Sequence, residues 1–178
     1  MARLPRWTTW HQPAPRANAG ASVLTFSLSC TVTIAATRAY LVLTGYPQIG
    51  GTVYHVAHAL WGGLALVAAA LLLLSFSDSW VEPAAAVLGG VGGGLFVDEV
   101  GKFITQKNDY FFPLAATIVY LFLVLLAATA VAINRYGRST ARAYLHAALE
   151  LAAHAADDDL SNAQRARIND YLEHARGL

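Results

Sequence analysis

LGGVGGGLFVDEVGKFITQKNDYFFP, residues 88–113, begins as a glycine-rich apolar helix, carries Asp98, Glu99 and Lys102, and leaves through a polar turn into aromatics. A charge at membrane depth is costly and turns toward a bundle interior or a wet cavity, so these three residues mark a functional centre. Gly89 with Gly93 and Gly90 with Gly94 form two overlapping small-xxx-small pairs, the pattern that lets bilayer helices pack backbone to backbone. A phosphate-cradling loop is excluded, because Phe96 and Phe103 stand where that motif needs a glycine and a hydroxyl residue. Lys102 is four residues from Asp98 and three from Glu99, so on a continuous helix it serves either acid. The two acids point about 100° apart and must face different neighbours, one toward the histidines and one toward Arg38 or another subunit.

The rest of the chain has the same apolar character. Of 178 residues, 56% are hydrophobic and 13% charged, with long uncharged runs, which defines a polytopic membrane protein. A net charge of +1 with scattered Lys and Arg argues against a nucleic-acid partner. The single cysteine, Cys30, excludes an intrachain disulfide. The expected fold is all-α: a four-transmembrane-helix bundle over residues 21–136, with spans near 21–44, 53–76, 83–105 and 112–134, between a flexible tail (1–20) and a helical hairpin (137–178). The first span follows Arg3, Arg6 and Arg16 as a secretory signal would, but it runs on past Arg38 without a small-residue cleavage site, so it reads as a retained helix. Ser27 also stands where a lipobox ending at Cys30 would need leucine. Arg38 lies about four turns into this span, placed either to snorkel to the interface or to meet the acids of the third span.

His55 and His58, three residues apart on the second span, share one helix face, and Trp61, Gly62 and Gly63 follow on the next turn. Between the spans, Trp80 with Pro83 and Tyr110 to Pro113 have the aromatics and prolines of interfacial helix starts. Positive residues before span one and after span four (Arg135, Arg138, Arg142) place both termini in the cytoplasm of a cell-membrane protein. Spans one and three then run outward and two and four inward. Arg38, His55, His58 and Asp98 to Lys102 accordingly converge roughly 5–10 Å below the outer interface. Gln106, Asn108 and Asp109 form the rim of an outward-facing pocket above them.

Past residue 138 the pattern changes. Tyr144, Leu145, Ala148, Leu149 and Ala152 make one helical stripe, and Ile168, Tyr171, Leu172 and Ala175 make another. Ser161 with Gln164 matches a capping box between them. This cytoplasmic hairpin, residues 139–178, is expected to pack on the membrane domain or on another subunit, or to receive a protein partner.

The histidine pair followed by Trp-Gly-Gly, then GLFVDEVGKFIT and NDYFFP, resembles a family of small integral membrane proteins of bacteria and fungi that lack an assigned activity. The resemblance covers roughly Tyr54 to Pro113, and implies that His55, His58, Asp98, Glu99 and Lys102 act as one unit, without supplying a substrate. Membrane-embedded zinc hydrolases of the ceramidase and adiponectin-receptor type likewise join histidines and an aspartate in a helical bundle. They have seven spans where this chain has four, and a third intramembrane histidine is missing here, so the analogy concerns a type of chemistry only.

Three functions follow from these residues. In the first, His55, His58, Asp98 and Glu99 bind a divalent metal (zinc, iron or manganese) that supports hydrolysis or redox chemistry on a lipid-like substrate. Glu99 and Lys102 are then the catalytic groups, and Arg38, Lys102, Asn108 and Asp109 hold an anionic headgroup or pair with the acids. In the second, the same cluster is the gate of an oligomeric proton or cation channel or transporter, a homo-oligomer packed through Gly89, Gly90, Gly93 and Gly94. In the third, the cluster is a buried ion-pair network that fixes helix register in a structural, partner-recruiting membrane protein. Haem ligation between spans fails, because only span two carries histidines. A cysteine hydrolase fails because Cys30 lies in the opposite half of the membrane from the histidines.

Overall fold

Apolar runs of this length form helices because a helix satisfies every backbone polar group within its own segment. The computed structural model describes residues 13–45, 58–99, 113–137, 140–156 and 159–178. His55, Lys102, Gln106, Asn108 and Asp109 lie outside the described residues, as does the continuation of the third span beyond Glu99.

The chain is all-α, with no strand among the described residues. Four helices are long and apolar enough to cross a membrane: α1 (Ala19–Thr44), α2 (His58–Ser75), α3 (Val81–Asp98) and α4 (Pro113–Tyr136). Two shorter helices follow, α5 (Ala141–Ala153) and α6 (Asn162–Gly177), with a 3₁₀ turn at His154–Ala156 between them. Two compact units result. One runs over Gly20–Ala130, and the other joins the stretch before Gly20 to Val131–Leu178.

In the first unit α3 is the central helix, with 44% of its apolar window buried against 22% for α1, 11% for α2 and 6% for α4. Glycine decides how closely its neighbours approach. A Cβ on Gly92 would lie 2.7 Å from the Gly62 carbonyl oxygen, and one on Gly62 the same distance from the Gly92 carbonyl, so α2 and α3 touch through their backbones. On another face of α3, a Cβ on Gly94 would stand 2.8 Å from the Cys30 carbonyl oxygen, and one on Gly90 would collide with the Phe26 carbonyl. Gly89 and Gly93 lie against the Phe26 ring. The two glycine pairs expected from the sequence therefore both serve α1, and a third set, Gly62 with Gly92, serves α2.

The contacts also fix direction. Ser22 Oγ donates to Glu82 Oε1 at 2.5 Å, and Arg38 Nε donates to Asp98 Oδ1 at 2.8 Å. Both pairs are separated by 16 residues along each helix, about 24 Å of helical rise, so α1 and α3 run parallel in register. His58 meets Glu99, and Ala69 lies beside Gly89, so α2 runs antiparallel to α3. Large apolar side chains point outward instead of inward, among them Leu28, Leu43, Leu64, Leu71, Leu74 and Leu125. Such a surface suits hydrocarbon and is far more apolar than a water-facing one.

The second unit has the opposite arrangement. Ala147, Ala148, Leu151 and Tyr171 form its core, with Tyr144, Ile168 and Leu172 packed around them. Thr140 caps α5 by accepting the Ala143 N–H (3.2 Å). Ser161 and Gln164 form the capping box that opens α6. The start of the described chain belongs to this unit: Ala17 is buried in the core, its N–H donates to Glu150 (2.5 Å), and Arg167 reaches Asn18 (3.1 Å). Residues 16–18 are thus tied to the hairpin by hydrogen bonds to Glu150 and Arg167.

Candidate functional site

Parallel α1 and antiparallel α2 bring Arg38, His58, Asp98 and Glu99 to one end of the bundle. Asp98 is the last residue of α3 and Glu99 its C-cap, and both are almost wholly buried, 1% and 0% exposed. The 100° step between them sends each to a different helix. Asp98 goes to α1, where Arg38, itself partly exposed, donates from Nε to Oδ1 at 2.8 Å. Arg38 is therefore a partner for the acids, the sharper of its two expected roles.

Glu99 goes to α2. Its Oε1 accepts the backbone N–H of His58 at 3.0 Å and stands 3.1 Å from the Nδ1 of the same residue. An N–H at the start of a helix has no intrahelical acceptor, and a carboxylate there also complements the helix dipole. Glu99 thus anchors the first turn of α2 while facing an imidazole that can carry a proton.

The chemistry of the two pairs differs. Arg38 is a permanent cation and offsets Asp98 in every state. His58 offsets Glu99 only when its ring is protonated, so this pair gains or loses a charge with a single proton. Asp98 keeps one oxygen, Oδ2, buried and without a hydrogen-bond partner among the described residues. Such an atom costs free energy unless a proton, a cation or water reaches it.

Among the described residues no three His, Cys, Asp or Glu side chains converge as a metal-ligand group. His58 and Glu99 are in contact, and Asp98 is engaged by Arg38. Gly89, Gly90, Gly93 and Gly94 are all buried on α3.

Two further contacts that the sequence does not announce hold the helices of the bundle in place, one beside this site and one at the far end. Gly62 lies one turn after His58 and receives α3 at Gly92, which sets the distance across which His58 and Glu99 meet. Ser22 with Glu82 ties α1 to α3 at the opposite end. The signals were present as a Gly-Gly step after the histidine and an acid at a helix start, but neither names its partner.

No family model matches the chain, and neither a curated protein nor a solved structure matches it.

Proposed function

We propose that this chain is an integral membrane protein whose intramembrane centre, formed by Arg38, His58, Asp98 and Glu99, takes up and passes a proton or small cation. The observation that carries the reading is the division of two adjacent buried carboxylates between a permanent cation and a protonatable imidazole. A purely structural network has no need of a titrating partner, whereas proton relays in membranes combine Asp, Glu and His in this way. Glu99 exchanges a proton with His58, and Asp98, held by Arg38, offers its second oxygen to the incoming ion. Four spans are few for a self-contained pathway, so the working unit is a homo-oligomer in the cell membrane with both termini cytoplasmic. The kinship of residues 54–113 with small membrane proteins of bacteria and fungi belongs to the same proposal.

The test is proton and cation flux in proteoliposomes. Glu99→Gln should reduce flux at least tenfold while keeping the helical content and elution volume of the parent. Undiminished flux in a folded Glu99→Gln protein would overturn the reading. If Glu99→Gln and His58→Ala change thermal stability alone, the cluster is a register-fixing ion-pair network.

A second reading rests on the meeting of His58 Nδ1 and Glu99 Oε1, one nitrogen and one oxygen donor brought together. With His55 and Asp98 added they would make a mixed ligand set for zinc, iron or manganese, and Glu99 and Lys102 would serve hydrolysis or redox chemistry on a lipid-like substrate. Arg38, Asn108 and Asp109 would then orient an anionic headgroup. Elemental analysis of the detergent-purified protein beside a His55→Ala/His58→Ala variant decides it. Near-stoichiometric metal in the parent alone supports this reading, and metal-free protein after incubation with all three ions removes it.

A further inference from the structure

Glu99 Oε1 is approached from α2 by two nitrogens of one residue, the backbone N of His58 at 3.0 Å and its ring Nδ1 at 3.1 Å. The backbone N–H only donates, so this oxygen acts as an acceptor. An ionised carboxylate has no hydrogen to give, and the ring contact is then a hydrogen bond only when Nδ1 carries the hydrogen. In the neutral imidazole the second nitrogen, Nε2, is consequently bare. The ring makes no other hydrogen bond among the described residues, and the side chain keeps 26% of its surface exposed.

These contacts decide which ion the centre can take. Alkali and alkaline-earth ions are held by several oxygens that replace their hydration shell, and an imidazole nitrogen suits them poorly. Glu99 Oε1 already receives two N–H groups. The carboxylate of Asp98 leaves α3 about 100° away and is bonded by the Arg38 guanidinium at 2.8 Å, a fixed positive charge that opposes a second cation beside it. Asp98 Oδ2, buried and without a hydrogen-bond partner among the described residues, is a single oxygen. It suits one hydrogen bond from water or hydronium, and does not by itself replace the shell of a metal ion. A bare imidazole nitrogen, by contrast, takes and returns a proton in the physiological range.

Given the ion-passing reading, on which this step rests, we infer that the ion is a proton, to the exclusion of sodium and potassium, and that it enters at Nε2 of His58. An incoming hydronium gives its proton to Nε2, where an N–H bond forms. The Nδ1–H bond then breaks toward Glu99 Oε1, which leaves a neutral ring with its hydrogen on Nε2 and a neutral carboxyl group. After Glu99 passes its proton on, rotation of the ring and exchange of its hydrogen with water on the entry side restore the Nδ1–H form. A single proton has then moved, and His58 and Glu99 are as they began.

Two measurements on the full chain test this. The first is flux in proteoliposomes under imposed gradients of protons, sodium or potassium. Proton flux is expected at the same rate whether the bath holds sodium, potassium or choline, with sodium and potassium uptake no greater than in empty vesicles. Sodium or potassium uptake comparable with proton flux would overturn the choice of ion and leave the ion-passing reading standing, whereas a parent that passes no ion removes both. The second is nitrogen-15 NMR of chelator-treated, histidine-labelled protein in detergent, with His58→Gln identifying the signal. The neutral ring is expected to show a protonated Nδ1 and a bare Nε2, and a hydrogen on Nε2 in its place would overturn the entry atom. The glutamine amide of His58→Gln still donates to Glu99 but does not take up and hand on a proton. Proton flux in that variant should fall at least about tenfold at the melting temperature of the parent. Undiminished flux would show that His58 is not the relay.

Discussion

The bundle of α1 to α3 and the α5–α6 hairpin are built on opposite principles within one chain. In the hairpin Leu151 and Tyr171 go inward, with Tyr144, Ile168 and Leu172 packed around them, while Leu145 and Leu149 stay exposed. In the bundle the interior holds Gly90, Gly92, Gly94, Ser27, Cys30, Asp98 and Glu99 with few large apolar side chains, Ile34 and Leu41 among them, while Leu28, Leu43, Leu64, Leu71 and Leu74 face out. Water drives the first arrangement by expelling apolar surface. Hydrocarbon gives leucine no reason to turn inward, so close backbone approach and polar pairing hold the second. Hydroxyls in α1 follow the same logic: Ser27, Thr31 and Thr33 each donate to the carbonyl four residues back, at 2.7–2.8 Å. These three hydroxyl hydrogens are thereby satisfied within their own helix and need no partner outside it.

The comparison is broken most severely at the ion pair. Asp98→Leu leaves Arg38 without its carboxylate in the bundle, and removing one member of a buried pair costs about 3–5 kcal/mol. Thermal unfolding in detergent should show that loss, and Arg38→Met/Asp98→Leu should recover most of it. If the double variant is as unstable as the single, the pair is not what joins α1 to α3. The hairpin answers to a different change. Leu151→Ala removes its most enclosed large side chain, 1% exposed, and should cost about 3 kcal/mol. Hydrogen exchange should locate the effect in α5 and α6, with α2 and α3 protected as before; equal loosening of both units would show that they are not built independently. The smallest expected effect sharpens the role of glycine. Gly92→Ala places a methyl against the Gly62 carbonyl and should cost about 2 kcal/mol. Gly63→Ala has open space within 4 Å and should be neutral or slightly stabilising, since alanine favours the helix. Similar melting temperatures for the two variants would mean that α2 and α3 do not touch through their backbones.

The presence of four long apolar helices and the two amphipathic stripes of the hairpin were legible in the sequence, because length, hydropathy and a 3.6-residue period are properties of single segments. So was the capping box at Ser161, a local exchange of hydrogen bonds over three residues. The sequence also marked Asp98, Glu99, Arg38 and His58 as residues too polar for their surroundings, and the helical step required the two acids to diverge. The choice of Arg38 for Asp98 and His58 for Glu99 was decided only by the tertiary structure, as were the union of Gly62 with Gly92 and the joining of residues 16–18 to the hairpin. Periodicity gives the direction in which a side chain leaves its own helix. It does not say which helix stands in that direction, and in a bundle packed through glycine the apolar pattern, nearly uniform around each helix, gives no further clue.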